Sequence, residues 1–435
     1  MFYGWKIVAV CFLTLFVSVG FGFYSFGAFF KALAEELGGS RFGVGLGLSV
    51  FTATSGLLGP ILARALERGS IRNVMSTGVL LLCAGFLALS RIDSLGQFYI
   101  ALGALAVGAA LIGSLPSSTL VVNWFERRRG TALGIATMGI SVSGIVMAPV
   151  ATALIQRLGW RTGFVVYAVL TVMLVLPAVR AIVVNRPEDR GLRPDGDAAM
   201  SRTALPPQPR RATGRAAKVA GELPATGGAY ALSPPPRPTT TAGAMRQRSF
   251  WVIALVVSLN FCANGALLTH LIPHATDLGY RPALAALVLS VVATLGAAGK
   301  LLFGWISDHV DVRSAMALSA VLQTAGVLLV LVVDSYPGLL LAGAIYGLGM
   351  GGLVPLWGAM IGAAFGRLAF SRVMGAMSPF ILPLQVAGVP YAGWVFDTTG
   401  HYAPAFRVFA GVYALSIAAL LFLPLPPPNT TTNVD

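Results

Sequence analysis

Apolar residues in this chain run in long unbroken blocks instead of alternating or recurring as a single stripe. Twelve such blocks of roughly 18–25 residues can be marked, each long enough to cross the ~30 Å hydrocarbon core of a bilayer as a helix. Backbone polar groups must pair internally in lipid, so the blocks predict α-helices and not strands. The spans fall near 7–31, 43–64, 73–90, 97–122, 130–154 and 161–184, then near 250–271, 282–306, 314–333, 338–364, 372–396 and 404–424. Between the two sets the pattern disappears from about Asn185 to Gln247. This stretch is rich in Pro, Ala, Thr and Arg, includes Pro234-Pro235-Pro236, and predicts a flexible linker. The expected organisation is a six-helix bundle over 1–184, a linker over 185–248, a second six-helix bundle over 249–424 and a tail over 425–435.

Composition agrees. Of the 435 residues 56% are hydrophobic and only 11% are charged, against roughly 25% charged in a soluble domain. The net charge of +14 raises a nucleic-acid partner, but the basic residues lie between apolar blocks, where topology accounts for them. Cys11, Cys83 and Cys262 all fall inside apolar blocks with no CxxC spacing. They read as packing residues, and no metal or cofactor is expected. The first block runs on to about Phe30 without a cleavage-site pattern, so it reads as a retained helix and not a signal peptide. With both termini in the cytoplasm, the inner short loops hold nine basic residues and the outer ones seven. That bias agrees with the positive-inside rule without forcing the orientation. The expected location is the cell's inner (plasma) membrane, with membrane lipids as neighbours and a monomeric state.

An internal repeat organises the chain. Glu67 and the run Arg72-Asn73-Val74-Met75 match Asp308 and Arg313-Ser314-Ala315-Met316 at an offset of 241. Pro116 and Phe125 match Pro355 and Phe365, Gly134 matches Gly375, Pro149 matches Pro390, and Phe164 matches Phe406, all at offsets of 239–242. A near-constant offset over five helices implies two pseudo-symmetric bundles of the same orientation, with a site between them at mid-depth.

At these residues the chain resembles the major facilitator superfamily. Within it, the chain is similar to the bacterial monocarboxylate transporter and oxalate:formate antiporter branch. The resemblance covers all but the linker. It rests on Gly4-Trp5, on the run from Trp124 to Gly134 opening the fifth helix, and on the turn from Gly304 to Arg313. It rests also on Phe365-Gly366-Arg367, Ala387-Gly388-Val389-Pro390 and Asp397-Thr398-Thr399-Gly400. The first copy of the turn departs from the superfamily pattern, with Ala63 for the usual glycine and Glu67 for the usual aspartate. The implied fold is an all-α membrane protein, a major facilitator-type transporter of twelve helices in two pseudo-symmetric six-helix bundles.

Lys300 is the leading candidate for chemistry. It lies in Gly296-Ala297-Ala298-Gly299-Lys300-Leu301-Leu302-Phe303-Gly304, where Gly296, Lys300 and Gly304 share one helix face. Glycines there let a neighbouring helix approach, so the lysine faces protein or a cavity. Ionisable residues inside a membrane usually line a pathway. The matching position in the first half is Gly59. The resemblance implies a basic residue here that binds a substrate carboxylate. The competing reading is a lysine that snorkels to the surface, since Asp308 stands only about 12 Å further along the helix.

Further candidates are Asn260, Asn264, Tyr24 and Tyr346 for substrate contact and His270 for proton coupling. Against these stand interhelical hydrogen bonding, packing and capping roles. Glu67, Arg72, Asp308 and Arg313 lie where helix ends meet and read as gating or structural charges. Arg127, Arg128 and Arg129 read as orientation-setting residues that touch anionic headgroups.

Proton-coupled members of the resembled family often carry an aspartate where this chain has Gly296, and no Asp or Glu lies inside any predicted membrane core. The resembled oxalate:formate antiporter also has a basic residue in its eleventh helix; between Met374 and Phe396 this chain has none, so the resemblance disfavours a dicarboxylate held by two cations. The expected function is secondary active transport of a small organic anion, a monocarboxylate first, with a proton as the candidate coupling ion. Efflux of a hydrophobic compound and a transporter-like sensor signalling through the linker are the alternatives. No catalytic set, metal-ligand cluster or phosphate-binding loop supports an enzyme.

Overall fold

The computed structural model describes residues 2–25, 29, 33, 41–196 and 240–424. Among them, every regular element is helical. The N-terminal half holds α1 (Gly4–Val19), continued by a π-helical turn over Gly20–Tyr24, then α2 (Arg41–Leu57), α3 (Gly59–Arg68), α4 (Ile71–Leu89), α5 (Leu95–Ile112), α6 (Ser114–Trp124) and α7 (Arg129–Ile182). A short α8 (Thr241–Met245) precedes the C-terminal half of α9 (Arg248–Asp277), α10 (Pro282–His309), α11 (Val312–Val332), α12 (Tyr336–Gly351), α13 (Leu353–Thr399) and α14 (Ala403–Leu420).

Ten stretches among the described residues are long and apolar enough to cross a bilayer. One of them, Tyr336–Thr399, has 64 residues, about 96 Å of helix at 1.5 Å per residue, far beyond one crossing. Its backbone leaves the helical region at Gly366 (φ 71°), and that of α7 does so at Gly159 (φ 77°). Only glycine takes that left-handed region without strain, so 129–158 separates from 160–182, and 353–365 from 367–399. The stretch 41–68 breaks at Leu58 into helices of 17 and 10 residues. The predicted fourth span likewise breaks at Gly113 between α5 and α6.

The predicted linker is built at its ends. Pro187–Arg190 and Pro194–Gly196 form 3-10 turns, and Gly191 supplies the left-handed residue (φ 67°) after the first. Proline at a turn's opening and glycine at its close are local turn chemistry, which a reading by composition alone passes over. The central part, 197–239, and the tail, 425–435, lie outside the described residues. The turns, the start of α1 and the residues just after α14 gather on one face, the linker face: Tyr3 donates to the Ile182 carbonyl, and Ser249 donates to that of Pro424.

Two close seams join the halves. In one, Gly59 and Ala63 of α3 meet Gly375 and Ser378 of α13; in the other, Gly130 and Gly134 of α7 meet Lys300, Gly304 and Ser307 of α10. Gly59 and Lys300, Ala63 and Gly304, and Gly134 and Gly375 are each 241 positions apart. The same backbone contact is therefore made twice, and a lysine occupies it once. A methyl group at Gly375 would stand 2.5 Å from the Gly59 carbonyl oxygen, and one at Gly134 would overlap the Lys300 carbonyl.

Overpacking of this kind costs about 1–3 kcal/mol. Gly134→Ala is expected to lower the melting temperature of the purified protein, whereas Gly103→Ala, with nothing within 4 Å, is expected to leave it unchanged or slightly raised. Equal melting temperatures for the two variants would show that the seam is not held this closely.

Candidate functional site

Lys300 is 5% exposed, the one charged residue among the described ones that is buried. Its Nζ donates to Ser141 Oγ at 2.6 Å, across the two halves. The direction of the side chain follows from its neighbours. Gly134 sits against the lysine's own carbonyl, and Ser141 stands about 10 Å further along the same helix, away from the linker face. Helical Cβ atoms tilt toward the N-terminus, so in α10 the stem also leaves in that direction. The ammonium thus points inward, about 18 Å from the start of α7 at Arg129, and not toward the nearer helix ends. An ammonium has three donors. Ser141 takes one, and no carboxylate pairs with Lys300 among the described residues. Sequence reasoning missed Ser141, because it differs from Ser143 only by rotation about the helix. Ser143 instead bonds back to the Ile140 carbonyl at 2.8 Å.

The structure brings Asn264 and Tyr346 together. Asn264 Oδ1 accepts from the Tyr346 hydroxyl at 2.5 Å and the Tyr413 hydroxyl at 3.2 Å. Its Nδ2 is buried with no partner. Asn260 takes the interhelical role that competes with cavity lining. Its Nδ2 donates to Ser416 Oγ at 2.7 Å and its Oδ1 accepts from Gln323 Nε2 at 3.3 Å, joining α9, α14 and α11 inside one half. His270 places Nε2 3.1 Å from the Val389 carbonyl and its ring 5.0 Å from Tyr402, near the end of α9 far from the linker face. Its Nδ1 is buried without a partner. Tyr24 ends the π-helical turn, but its side chain lies outside the described residues.

The four gating candidates do not pair with one another. Glu67 instead bonds Arg372 of the other half at 2.6 Å. Asp308 accepts from the backbone N–H groups of Gly130 (2.6 Å) and Thr131 (2.8 Å), capping the start of α7 across the halves. Carboxylates are favourable at such helix starts. Thr131 and Arg372 are again 241 positions apart, so the two cross-half contacts are counterparts with different chemistry. Arg72 and Arg313 turn away from the seam. Arg72 Nε donates to the Val183 carbonyl at 2.7 Å. Arg313 bonds Asp311 at 2.7 Å, holding that carboxyl below the usual carboxylate range, and reaches the Leu423 carbonyl.

The ordered start of the linker adds contacts that its composition concealed. Asp195 accepts from three successive backbone N–H groups, those of Glu126, Arg127 and Arg128. Glu188 pairs with Arg367 of the other half at 2.6 Å. The linker face is therefore tied shut from several directions.

Two like helical halves, closed on one face over a buried cation, have the architecture of a membrane transporter. The sequence profile of the Major Facilitator Superfamily matches residues 11–310 and 253–435. Human monocarboxylate transporter 11 is 27% identical over 437 residues, covering 98% of this chain and 83% of that protein. Monocarboxylate transporter 13 of Bos taurus is 24% identical over 423 residues, covering 96% and 88%. The human organic anion transporter MFSD10 shares the fold with a TM-score of 0.69 at 14% identity, over 97% of this chain and 100% of that one. The E. coli fucose:proton symporter FucP does so with a TM-score of 0.67 at 15% identity, over 98% and 100%. The chain belongs to the major facilitator superfamily, and it is a multi-pass membrane transporter, not an enzyme.

Breaking the Glu67–Arg372 pair should loosen the linker face. Ser371 beside it is 5% exposed. In a background without native cysteines, Ser371→Cys should react with a hydrophilic maleimide several-fold faster when combined with Glu67→Gln. Equal labelling rates would show that the pair does not hold this face closed.

Proposed function

We propose that this protein is a secondary active transporter of small organic anions, monocarboxylates first. Transport would run by alternating access, with Lys300 as the residue that binds the substrate carboxylate. The observation that carries the reading is the buried Lys300 ammonium, unpaired by any carboxylate among the described residues and directed inward at the junction of the halves. The resemblance to monocarboxylate transporters gives the carboxylate its priority. In this reading the anion displaces or joins Ser141 at the ammonium. Asn264 and Tyr346 offer hydrogen bonds from the C-terminal half, and Tyr24 is a further contact from the N-terminal half. Closure at Glu67–Arg372 and Asp308 would belong to the outward-open state, and parting of those contacts would give the inward-open one.

The acidic residues of the chain all lie at predicted helix ends, in loops or in the linker and tail. Coupling is therefore exchange, facilitated diffusion, or proton symport in which the substrate and His270 supply the titrating groups. The positive-inside bias supports an inner-membrane location with both termini and the linker in the cytoplasm, and the protein is read as a monomer.

Lys300→Gln in proteoliposomes, with insertion controlled, should weaken affinity for a monocarboxylate such as lactate by about 10- to 100-fold, the worth of a hydrogen bond to a charged group. Lys300→Arg should keep part of the activity, since charge is retained while shape changes. A neutral analogue lacking the carboxylate should not distinguish the wild type from Lys300→Gln. Unchanged monocarboxylate affinity in Lys300→Gln would remove the lysine from the site.

A further inference from the structure

A polar cavity of about 420 Å³ opens on the linker face, away from the seams between the halves. Ser70, Arg72, Val183, Val184, Asn185, Asp189 and Arg190 line it. Both arginines are held in place by contacts that leave terminal guanidinium nitrogens free. Arg72 is fixed through its Nε by the Val183 carbonyl at 2.7 Å. Arg190 stacks 3.9 Å over the Tyr3 ring, and the Tyr3 hydroxyl is anchored on the Ile182 carbonyl. Lys6 adds a third positive charge 5.7 Å from the same ring.

Opposing charge is scarce. Asp189 is the one carboxylate in the lining, and its Oδ2 accepts from the Arg186 N–H at 3.1 Å. Neither Arg72 nor Arg190 forms an ion pair among the described residues. The Asn185 amide is occupied elsewhere: its Oδ1 accepts from the Ile71 N–H and its Nδ2 donates to the Gly69 carbonyl. The cavity thus presents two preset guanidinium groups against one carboxylate, at the ends of the spanning stretches Ile71–Leu89 and Pro149–Ile182. Guanidinium forks match the oxygens of a phosphate group. Basic pockets at the ends of spanning helices meet lipid headgroups.

We propose that this cavity is a phosphate-binding site, and its position at the ends of two spanning stretches makes an anionic phospholipid headgroup the carrier. Arg72 then acts as a lipid ligand at the base of α4 instead of as a partner in the gate. The site is independent of the substrate assigned to Lys300.

The test uses the full-length protein purified in neutral maltoside micelles. Its melting temperature is followed while dioctanoyl phosphatidylglycerol, dioctanoyl phosphatidylcholine or inorganic phosphate is added. Wild type should show a saturable rise with phosphatidylglycerol and a weaker one with phosphatidylcholine. Arg72→Gln combined with Arg190→Gln should weaken the phosphatidylglycerol response by about tenfold or more, and Asp189→Asn should strengthen it. If inorganic phosphate alone gives a saturable rise that the double variant loses, the site stands but its carrier is free phosphate. A phosphatidylglycerol response that is absent in wild type, or equal in wild type and the double variant, overturns the proposal. Should the double variant fail to fold, Asp189→Asn decides alone, and unchanged affinity there overturns it.

Discussion

The backbone contact between Gly134 and Lys300 fixes where a cation can stand inside this membrane protein. An ammonium in hydrocarbon is costly, and a long lysine stem would normally carry it to the nearer surface. Here α7 lies so close against α10 that the stem leaves along the seam, toward Ser141. The counterpart contact, Gly59 against Gly375, has the same closeness and no side chain to direct. The duplicated scaffold thus supplies two equivalent places, and one residue difference puts a cation in one of them. Asymmetry of charge is laid over symmetry of packing.

Closure of the linker face uses contacts of moderate strength. Glu67 and Arg372 keep side-chain exposures of 20% and 28%, and partly exposed ion pairs contribute about 1 kcal/mol or less. Asp308 meets backbone N–H groups at the start of a helix, where a carboxylate gains from both the hydrogen bonds and the helix dipole. Glu188 and Asp195 bring the beginning of the linker into the same belt. Several modest contacts, each replaceable by water, hold the halves together here.

The interior of the C-terminal half is built differently. Asn260, Gln323 and Ser416 bond across three helices, and Asn264 joins Tyr346 and Tyr413, all buried. Buried polar networks that are largely satisfied rigidify the helices they join. That half is therefore cross-bonded internally, while the partly exposed ion pairs lie between the halves.

Much of this was determined by the sequence itself. Long apolar blocks forced helices because lipid leaves backbone groups no other partner, and the 241-residue offset gave the two halves and their shared contact points. The glycine face around Lys300 told that the lysine meets protein, and the absence of acidic residues from the apolar blocks needs no coordinates. Local turn chemistry at Pro187 and Gly191 was also present in the sequence, hidden by the composition of the longer stretch. The tertiary structure alone decided which partners meet. Glu67 finds Arg372, 305 positions away, and Ser141, not Ser143, faces the lysine, because these choices depend on the rotation of whole helices about their axes. The same rotation assigns Asn260 to a network within one half and turns Arg72 from the seam to the linker face. Periodicity along one helix defines its faces, and only the packing of neighbours says what each face meets.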